Sequence, residues 1–167
     1  MAADNLWAPW RMEFIKDKRF KTGEAPCVFC ELKEKKPDEQ NLVLYQGKNN
    51  YIVMNRFPYT TGHLLVVSHE HTADLKTLSA DAHGEIMGLL AKGMEVLKEV
   101  LGAEGFNCGV NVGRVGGCGI LDHLHWHIVP RWTGDTNFLP VLTGSRCMPE
   151  YLGETHKRLV EKFRGTV

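Results

Sequence analysis

In His123-Leu124-His125-Trp126-His127-Ile128-Val129, three histidines alternate with large apolar residues, and no other segment of the chain indicates its structure as strongly. Successive side chains of a β-strand point to opposite faces, so this pattern predicts a strand with three imidazoles on one face. Leu124, Trp126 and Ile128 would pack into a core on the other face. Neighbouring imidazoles would stand about 6–7 Å apart at their bases, close enough to act on one substrate or one ion. The pattern therefore indicates a functional histidine cluster.

The composition sets limits on size, partners and compartment. The chain has 167 residues, enough for one domain with a real core, and its 20 Lys and Arg residues balance 20 Asp and Glu. This balance gives no net attraction to nucleic acid or acidic membranes, and no apolar run approaches the roughly 18 residues of a membrane span. Residues 1–20 lack the apolar core of a signal peptide, and the five cysteines are typical of reduced thiols. We therefore expect a cytoplasmic protein without nucleic-acid or membrane partners.

Hydrophobic periodicity predicts an α+β fold, in which helices cover one face of an antiparallel sheet of about five strands. The strands are expected at residues 42–45, 51–55, 63–68, 107–113 and 123–130. Apolar residues at helical spacing predict a long helix that begins after Ser79 and ends at Leu101, before the capping Gly102. Shorter helices are expected at 10–18 and 154–163.

Cys27-Val28-Phe29-Cys30 is a second motif that bears on chemistry. From spacing alone it is a redox pair, half of a zinc site or a coincidence. A zinc site needs two more ligands, and His69, His71 and His123 are candidates. Residues 31–40, which follow, are expected to form a charged connector.

The glycine-rich segment Gly113-Arg114-Val115-Gly116-Gly117-Cys118-Gly119 leads towards the histidine strand. Glycines leave backbone N–H groups accessible, which suits phosphate binding, although a flexible connection also needs glycine. Asn55 and His63 are polar residues at the ends of predicted strands, which adds two candidates for the same site.

These residues together resemble the histidine-triad family of nucleotide hydrolases and transferases, whose signature alternates three histidines with apolar residues. The other motifs follow in the family's order: Cys27-Val28-Phe29-Cys30, Asn55-Arg56, Gly62-His63, His71 and Asn111-Val112-Gly113. The resemblance covers about residues 7–138. Residues 6–11 and 130–138 look like the bacterial and archaeal branch, which is related to the fragile-histidine-triad hydrolases and the small diadenosine tetraphosphate phosphorylases.

The resemblance implies a HIT-like fold and a homodimer, for which the helix at 79–101 is the candidate contact. We expect the chain to divide into three parts. An N-terminal extension at 1–40 would carry the CxxC segment and pack on a HIT domain at 41–140, and a tail or helix would follow at 141–167.

A covalent mechanism is implied as well. The middle histidine, His125, would attack the α-phosphorus of an adenine dinucleoside polyphosphate such as diadenosine tetraphosphate, giving an AMP–histidine intermediate. A neutral imidazole can do this without a strong base. His127 would donate to the non-bridging oxygens, assisted by His63. Water would resolve the intermediate, or, as the alternative, inorganic phosphate would make the chain a phosphorylase, and neither reaction requires a cofactor.

Further nucleotide contacts follow from the same resemblance. Asn55 would bind the ribose, and Phe57 and Leu65 would flank the base. The remaining contacts, all near the phosphates, would be Asn111, Gly117, Cys118 and Gly119, the last three through backbone N–H groups.

In zinc-containing members of the family, a CxxC pair, a histidine after the third strand and the first triad histidine bind the ion. The corresponding residues here are Cys27, Cys30, His71 and His123. A closed site with four protein ligands is structural, so it would fasten the N-terminal segment to the sheet. This assignment also removes His123 from the list of nucleophiles.

The chain departs from the family at Gly119 and Ile120, where many relatives have Gln and then Ser or Thr. Ile120 cannot donate a hydrogen bond from its side chain, so stabilisation of the leaving group must come from another residue.

Two functions of other classes compete with the nucleotide enzyme. One is a metalloenzyme in which the three triad histidines hold a catalytic ion, and the other is a nucleotide-binding adaptor without turnover.

Overall fold

The computed structural model describes residues 26–135 and 150–164. Its helices and strands are α1 (Val28–Leu32), β1 (Val43–Gln46), β2 (Asn50–Met54), β3 (Leu64–Ser68), α2 (Ala80–Leu101), β4 (Gly105–Val110), β5 (His125–Arg131) and α3 (Leu152–Arg164). A short 3-10 helix at Leu75–Thr77 precedes α2. The α+β prediction is confirmed. The helix expected at 10–18, the motif at 6–11 and residues 136–138 lie outside the described residues.

The five strands form one sheet in the order β1-β2-β3-β5-β4, and all neighbours are antiparallel. Leu65 pairs with Val53 on one side and with His127 on the other, and His127 faces Gly109 on β4. Because side chains alternate along a strand, this row shares one face of the sheet while Ile128 points to the opposite face. The histidine pattern thus separates a site face from a core face.

The core face is covered by α2, which begins and ends where its caps predict. The Ser79 hydroxyl accepts a hydrogen bond from the Ala82 N–H at 3.1 Å, and Gly102 adopts the left-handed conformation with a φ of 63°. A Cβ atom on Gly93 would come within 2.6 Å of the Ile128 side chain. The absence of a side chain at Gly93 therefore lets the helix lie close to β5.

Three local features differ from the predictions. Strand β4 was expected to run to residue 113 but ends at Val110, because the chain leaves the sheet and Gly113 takes a φ of 72°. Strand β5 begins at His125, two residues later than expected, since the N–H of Leu124 donates to the Thr72 carbonyl outside the sheet. Helix α1 was not predicted, because five residues are too few to show a helical period.

Helix α1 lies on the site face of the sheet, opposite α2. The buried Tyr51 hydroxyl on β2 donates to the Phe29 carbonyl at 2.8 Å, and Phe29 itself is buried. One face of the sheet therefore keeps an open cavity beside α1, while the other face is closed by the long helix. None of the helices in the described ranges is both long enough and apolar enough to cross a membrane.

Candidate active site

His125 presents one ring nitrogen to the cavity on the site face. Its Nδ1 lies 2.9 Å from the backbone oxygen of His123. A carbonyl oxygen can only accept, so Nδ1 carries the proton and Nε2 carries the lone pair. Burial lowers the pKa of His125, and the hydrogen bond to His123 opposes this only in part. The neutral imidazole is thus held in the tautomer that a nucleophile needs.

The protons of His63 and His127 are assigned by a chain of hydrogen bonds. The Tyr59 backbone N–H donates to His63 Nδ1 at 3.1 Å, so the proton of His63 sits on Nε2. That nitrogen lies 2.9 Å from His127 Nδ1 and donates to it. The proton of His127 is therefore on its own Nε2, a buried atom with no partner among the described residues. An unsatisfied donor next to His125 suits an anionic oxygen of a substrate.

Burial keeps both of these imidazoles neutral. Together with the smaller effect of neighbouring imidazoles, it lowers the pKa of His63 to about 3 and that of His127 to about 4. At neutral pH the hydrogen-bond chain therefore has the single arrangement given above.

Asn55 is locked in place by both ends of its amide. Its Oδ1 accepts from the Phe57 N–H at 2.9 Å, and its Nδ2 lies 3.3 Å from His63 Nδ1. Asn55 lines the same cavity as His125 and His127. Asn55 consequently supports the tautomer of His63 as well as offering an oxygen lone pair to a ligand.

The cavity has a volume of about 560 Å³, which is typical of small-molecule sites. Most of the predicted nucleotide contacts line it: Asn55, Phe57, Leu65, Asn111, Gly117, Gly119, His125 and His127. Apolar residues of α1, among them Val28 and Leu32, form one wall. The predicted nucleotide-binding residues therefore lie around one cavity, with Cys118 as the exception, and the predicted catalytic residue His63 contacts His127 from outside the lining.

The glycine-rich loop uses some of its own N–H groups. The N–H of Gly117 donates to the Arg114 carbonyl at 3.1 Å, and that of Cys118 donates to the Gly113 carbonyl at 3.2 Å. The Cys118 thiol donates to the Ile120 carbonyl at 2.9 Å. The Gly119 N–H has no such partner among the described residues, and Gly119 lines the cavity, so this N–H is available to a ligand.

A second cluster lies at the N-terminal end of β5. Four residues offer ligand atoms that all lie within 4.8 Å of one another: Cys27, Cys30, His71 and His123. His123 donates from Nε2 to the Ser68 carbonyl at 2.7 Å, which leaves its Nδ1 free 3.3 Å from the Cys27 sulfur. His71 Nδ1 lies 3.3 Å from the Cys30 sulfur and 3.2 Å from His123 Nδ1.

These distances fit zinc. A tetrahedral zinc ion with bonds of about 2.0–2.3 Å separates its ligand atoms by about 3.3–3.8 Å. The donor set of two thiolates and two imidazoles is one that structural zinc sites use. His69, the other candidate from the sequence, lies instead 3.3 Å from Gln46 Oε1 through its Nε2.

The triad histidines do not converge on one ion. Within the described ranges, His123 is the one triad member that belongs to a possible metal-ligand group, whereas His127 pairs with His63. Phe29 separates the two functions, because its ring centroid lies 5.4 Å from that of His123 and 4.9 Å from that of His125. This arrangement disfavours the metalloenzyme that the sequence left open.

Comparison with known proteins decides the family. The model of the HIT domain matches residues 36–134. The chain belongs to the HIT family. AP-4-A phosphorylase of Mycobacterium tuberculosis is 36% identical over 163 residues, which cover 95% of this chain and 83% of that protein. Adenosine 5'-monophosphoramidase of Candida albicans is 25% identical over 145 residues, which cover 84% of this chain and 93% of that protein.

A solved structure agrees with this assignment. The crystal structure of a zinc-bound histidine triad family protein from Mycobacterium smegmatis superposes with a TM-score of 0.65 at 25% identity, over 83% of this chain and 94% of that one. The HIT family recognised from the sequence, its fold and the enzyme class of nucleotide hydrolases and nucleotidyltransferases are therefore confirmed.

Tyr59 is a residue of this HIT site that the sequence analysis missed. Its ring lies 5.9 Å from that of His127 and nearly parallel to it, at 13°, and 4.6 Å from the ring of His63. The residue follows Pro58 in the loop between two motif residues, where no periodic pattern marks it. The one available signal was a large aromatic residue in the loop between Asn55 and His63, both of which were predicted to belong to the site.

Proposed function

We propose that this HIT protein cleaves adenine dinucleoside polyphosphates, such as diadenosine tetraphosphate, at the α-phosphate through an AMP intermediate on His125. The observation that carries the proposal is the 2.9 Å hydrogen bond from His125 Nδ1 to the His123 carbonyl, since it leaves the Nε2 lone pair free beside a cavity. The adjacent unsatisfied donor on His127 supports it.

The first step forms a bond between His125 Nε2 and the α-phosphorus. The bond from that phosphorus to the bridging oxygen breaks, and its electron pair departs with the leaving polyphosphate, which is ATP for the tetraphosphate. His127 donates from Nε2 to a non-bridging oxygen, while His63 holds it in the tautomer that can do so. Positioning and charge stabilisation therefore supply most of the catalysis, and no cofactor takes part.

The second step breaks the nitrogen–phosphorus bond. An acceptor oxygen attacks the phosphorus, and the electron pair of the broken bond returns to Nε2 of His125. The acceptor loses one proton to solvent in this step. Water gives AMP as the product, whereas inorganic phosphate gives ADP.

Inorganic phosphate is the acceptor that we favour. The relative that spans 95% of this chain at 36% identity is an AP-4-A phosphorylase, which is the alternative weighed from the sequence. The test is product analysis of diadenosine tetraphosphate turnover with and without inorganic phosphate. ADP and ATP that form only with phosphate establish the phosphorylase, AMP and ATP in both conditions establish the hydrolase, and the absence of any cleavage contradicts the substrate assignment.

The cavity residues take the roles that the resemblance suggests, except that Gly117 and its neighbour Cys118 take a structural role in place of the expected phosphate contacts. Asn55 would bind the ribose through Oδ1, and Phe57 and Leu65 would flank the adenine base. Asn111 and the Gly119 N–H would contact the phosphates, whereas Gly117 and Cys118 would shape the loop. The contact of these residues with one cavity and the hydrogen bonds of the loop support this assignment.

We also propose that zinc occupies the cluster of Cys27, Cys30, His71 and His123. The distances among their ligand atoms and the zinc-bound histidine triad protein of Mycobacterium smegmatis support it. The bound ion would cross-link α1 to the start of β5 and take no part in the reaction.

A homodimer through α2 and β4 is the proposed assembly in the cytoplasm, with adenine nucleotides as ligands and no nucleic-acid or membrane partner. Met87 on α2 is 68% exposed, and β4 is an edge strand. Met87→Glu should then convert a dimer to a monomer, as measured by light scattering.

For the domain organisation we propose an N-terminal extension at 1–40, a HIT domain at 41–140 and a tail or helix at 141–167.

A further inference from the structure

One position in the cavity lining, Ile120, provides no side-chain hydrogen-bond donor for a departing polyphosphate. Ile120, which stands where many relatives carry Ser or Thr, does line the cavity and can donate no hydrogen bond from its side chain. Arg56, the one Lys or Arg side chain among the described residues of the lining, donates from one guanidinium nitrogen to the Gln40 carbonyl at 2.7 Å, a contact that holds it at the Gln40 main chain. A leaving group that takes up negative charge would be stabilised by a further donor close to the triad.

Tyr59 brings such a donor. Among the described residues that line the cavity, it is the one side chain with a hydroxyl group. The side chain is 46% exposed, and its hydroxyl forms no hydrogen bond with the described part of the chain. Its ring lies beside those of His63 and His127, with centroids at 4.6 Å and 5.9 Å. The ring is therefore held beside the phosphate-binding imidazole while the hydroxyl stays available.

The backbone fixes this residue as well. Its N–H donates to His63 Nδ1 at 3.1 Å, within the chain of hydrogen bonds that orients His127. Main chain and ring are both anchored, so the hydroxyl loses little further freedom when it binds a ligand.

We propose that the Tyr59 hydroxyl donates a hydrogen bond to the leaving polyphosphate and so replaces the donor that Ile120 lacks. The inference rests on the proposed function and names a further catalytic residue for it. The bond strengthens as the bridging oxygen takes up the electron pair, because a hydrogen bond to a charged acceptor is stronger than one to a neutral acceptor. Tyr59 thereby favours substrates with a polyphosphate beyond the α-phosphate over those without one.

The experiment compares Tyr59→Phe with the wild-type chain on two substrates. The leaving group from diadenosine tetraphosphate is ATP, whereas adenosine 5'-phosphoramidate has no phosphate beyond the α position. The variant keeps the ring and removes the hydroxyl alone, so kcat/KM for diadenosine tetraphosphate should fall by about tenfold or more and that for the phosphoramidate should stay unchanged. Equal losses on both substrates, or no loss on either, would overturn the inference.

Equilibrium binding gives a readout that does not depend on turnover. Tyr59→Phe should bind ATP about tenfold more weakly than the wild type and should bind AMP equally well. Its melting temperature should be unchanged, because the hydroxyl has no partner within the described residues. Equal affinity for ATP in both proteins would contradict the proposal.

The matched control is Tyr151→Phe, which removes a hydroxyl from an 88% exposed tyrosine before α3 and should change none of these values. The role of Tyr59 can be disproved while the proposed function still holds. A wild-type chain that forms the adduct on His125, paired with a fully active Tyr59→Phe variant, contradicts the role of Tyr59 only. A wild-type chain that forms no adduct contradicts the proposed function itself.

Discussion

His63 Nε2 lies 2.9 Å from His127 Nδ1, and this one hydrogen bond determines which nitrogen of His127 carries its proton. The donor on His63 is itself set by the Tyr59 N–H, which occupies the other ring nitrogen of His63. A backbone group at the surface is thus linked through two imidazoles to the position where a phosphoryl oxygen would bind. His63 is therefore a positioning residue that acts through His127.

Replacement of His63 by Phe keeps a ring of similar packing but removes the donor to His127. Without it His127 can place its proton on either nitrogen, so kcat should fall by about ten- to a hundredfold with a smaller change in KM. Steady-state kinetics checks this. The control is His156→Phe, which removes a buried 2.9 Å hydrogen bond to the Val43 carbonyl at α3 and should lower stability without changing kcat. A His63→Phe variant with wild-type kcat contradicts the positioning role.

The pH dependence of activity should follow the lowered pKa values of the buried histidines. Burial lowers the pKa of His63 to about 3 and of His127 to about 4, so both stay neutral well below the ordinary histidine range. Burial also lowers the pKa of the nucleophile His125, so the midpoint of the fall in kcat/KM towards acid pH should lie below the ordinary histidine value of about 6.5. A fall in kcat/KM with a midpoint near the ordinary value of about 6.5 would contradict this expectation.

The same shifts predict how stability depends on pH. The unfolded chain binds protons on these histidines below about pH 6.5, whereas the folded chain resists protonation until about pH 4. Their contribution to the free energy of unfolding is therefore complete above about pH 6.5 and is lost as the pH falls towards 4. Urea unfolding at several pH values measures it. The loss should be about 2 kcal/mol or more, and the His63→Phe variant should show a smaller loss.

Removal of the metal should loosen α1 and leave the chemistry intact. Cys30→Ser should lose zinc and melt at a lower temperature, while His125→Ala should keep about one zinc per chain. Val28 and Leu32 of α1 line the cavity. A loosened α1 should therefore weaken substrate binding, so that KM rises more than kcat falls. Metal analysis and calorimetry check this, with Cys108→Ser, outside the ligand group, as the control. Zinc lost in His125→Ala would contradict the ligand assignment.

Two glycines provide a matched pair for stability. Gly62 has a φ of 77°, and a Cβ on it would lie 2.5 Å from the Leu101 side chain, whereas a Cβ on Gly84 in α2 would meet nothing within 4 Å. Gly62→Ala should cost about 1–3 kcal/mol, and Gly84→Ala should add about 0.5–1 kcal/mol, because alanine favours a helix. Denaturant unfolding of both variants and the wild type measures these changes in the free energy of unfolding. A Gly62→Ala variant as stable as the wild type contradicts the described backbone.

The sequence was sufficient for the features that depend on local periodicity and on motifs. The alternation of histidine and apolar residues predicted the site strand, since a strand repeats every two residues. Ser79 and Gly102 predicted both ends of α2 because their capping chemistry is local. The CxxC pair and His71 were expected near His123 from the resemblance, and the structure brings these four residues together.

Features that depend on tertiary contacts were not accessible in this way. Helix α1 is short and is held by the Tyr51 hydroxyl on another strand. Strand β4 ends early because the loop after it folds on its own carbonyls, which also uses the N–H groups of Gly117 and Cys118. Tyr59 reaches the triad only because its loop folds back over His63. Each depends on a partner distant in sequence or on a loop conformation that no periodic pattern encodes.

Isolation of the covalent intermediate would establish whether His125 is the nucleophile. Wild-type chain mixed with diadenosine tetraphosphate and quenched at once should carry one adenylyl group on His125, detected by intact mass and peptide mapping, and the His125→Asn variant should carry none and cleave no substrate. An adenylyl group that persists in His125→Asn, or turnover that continues in that variant, would contradict the account.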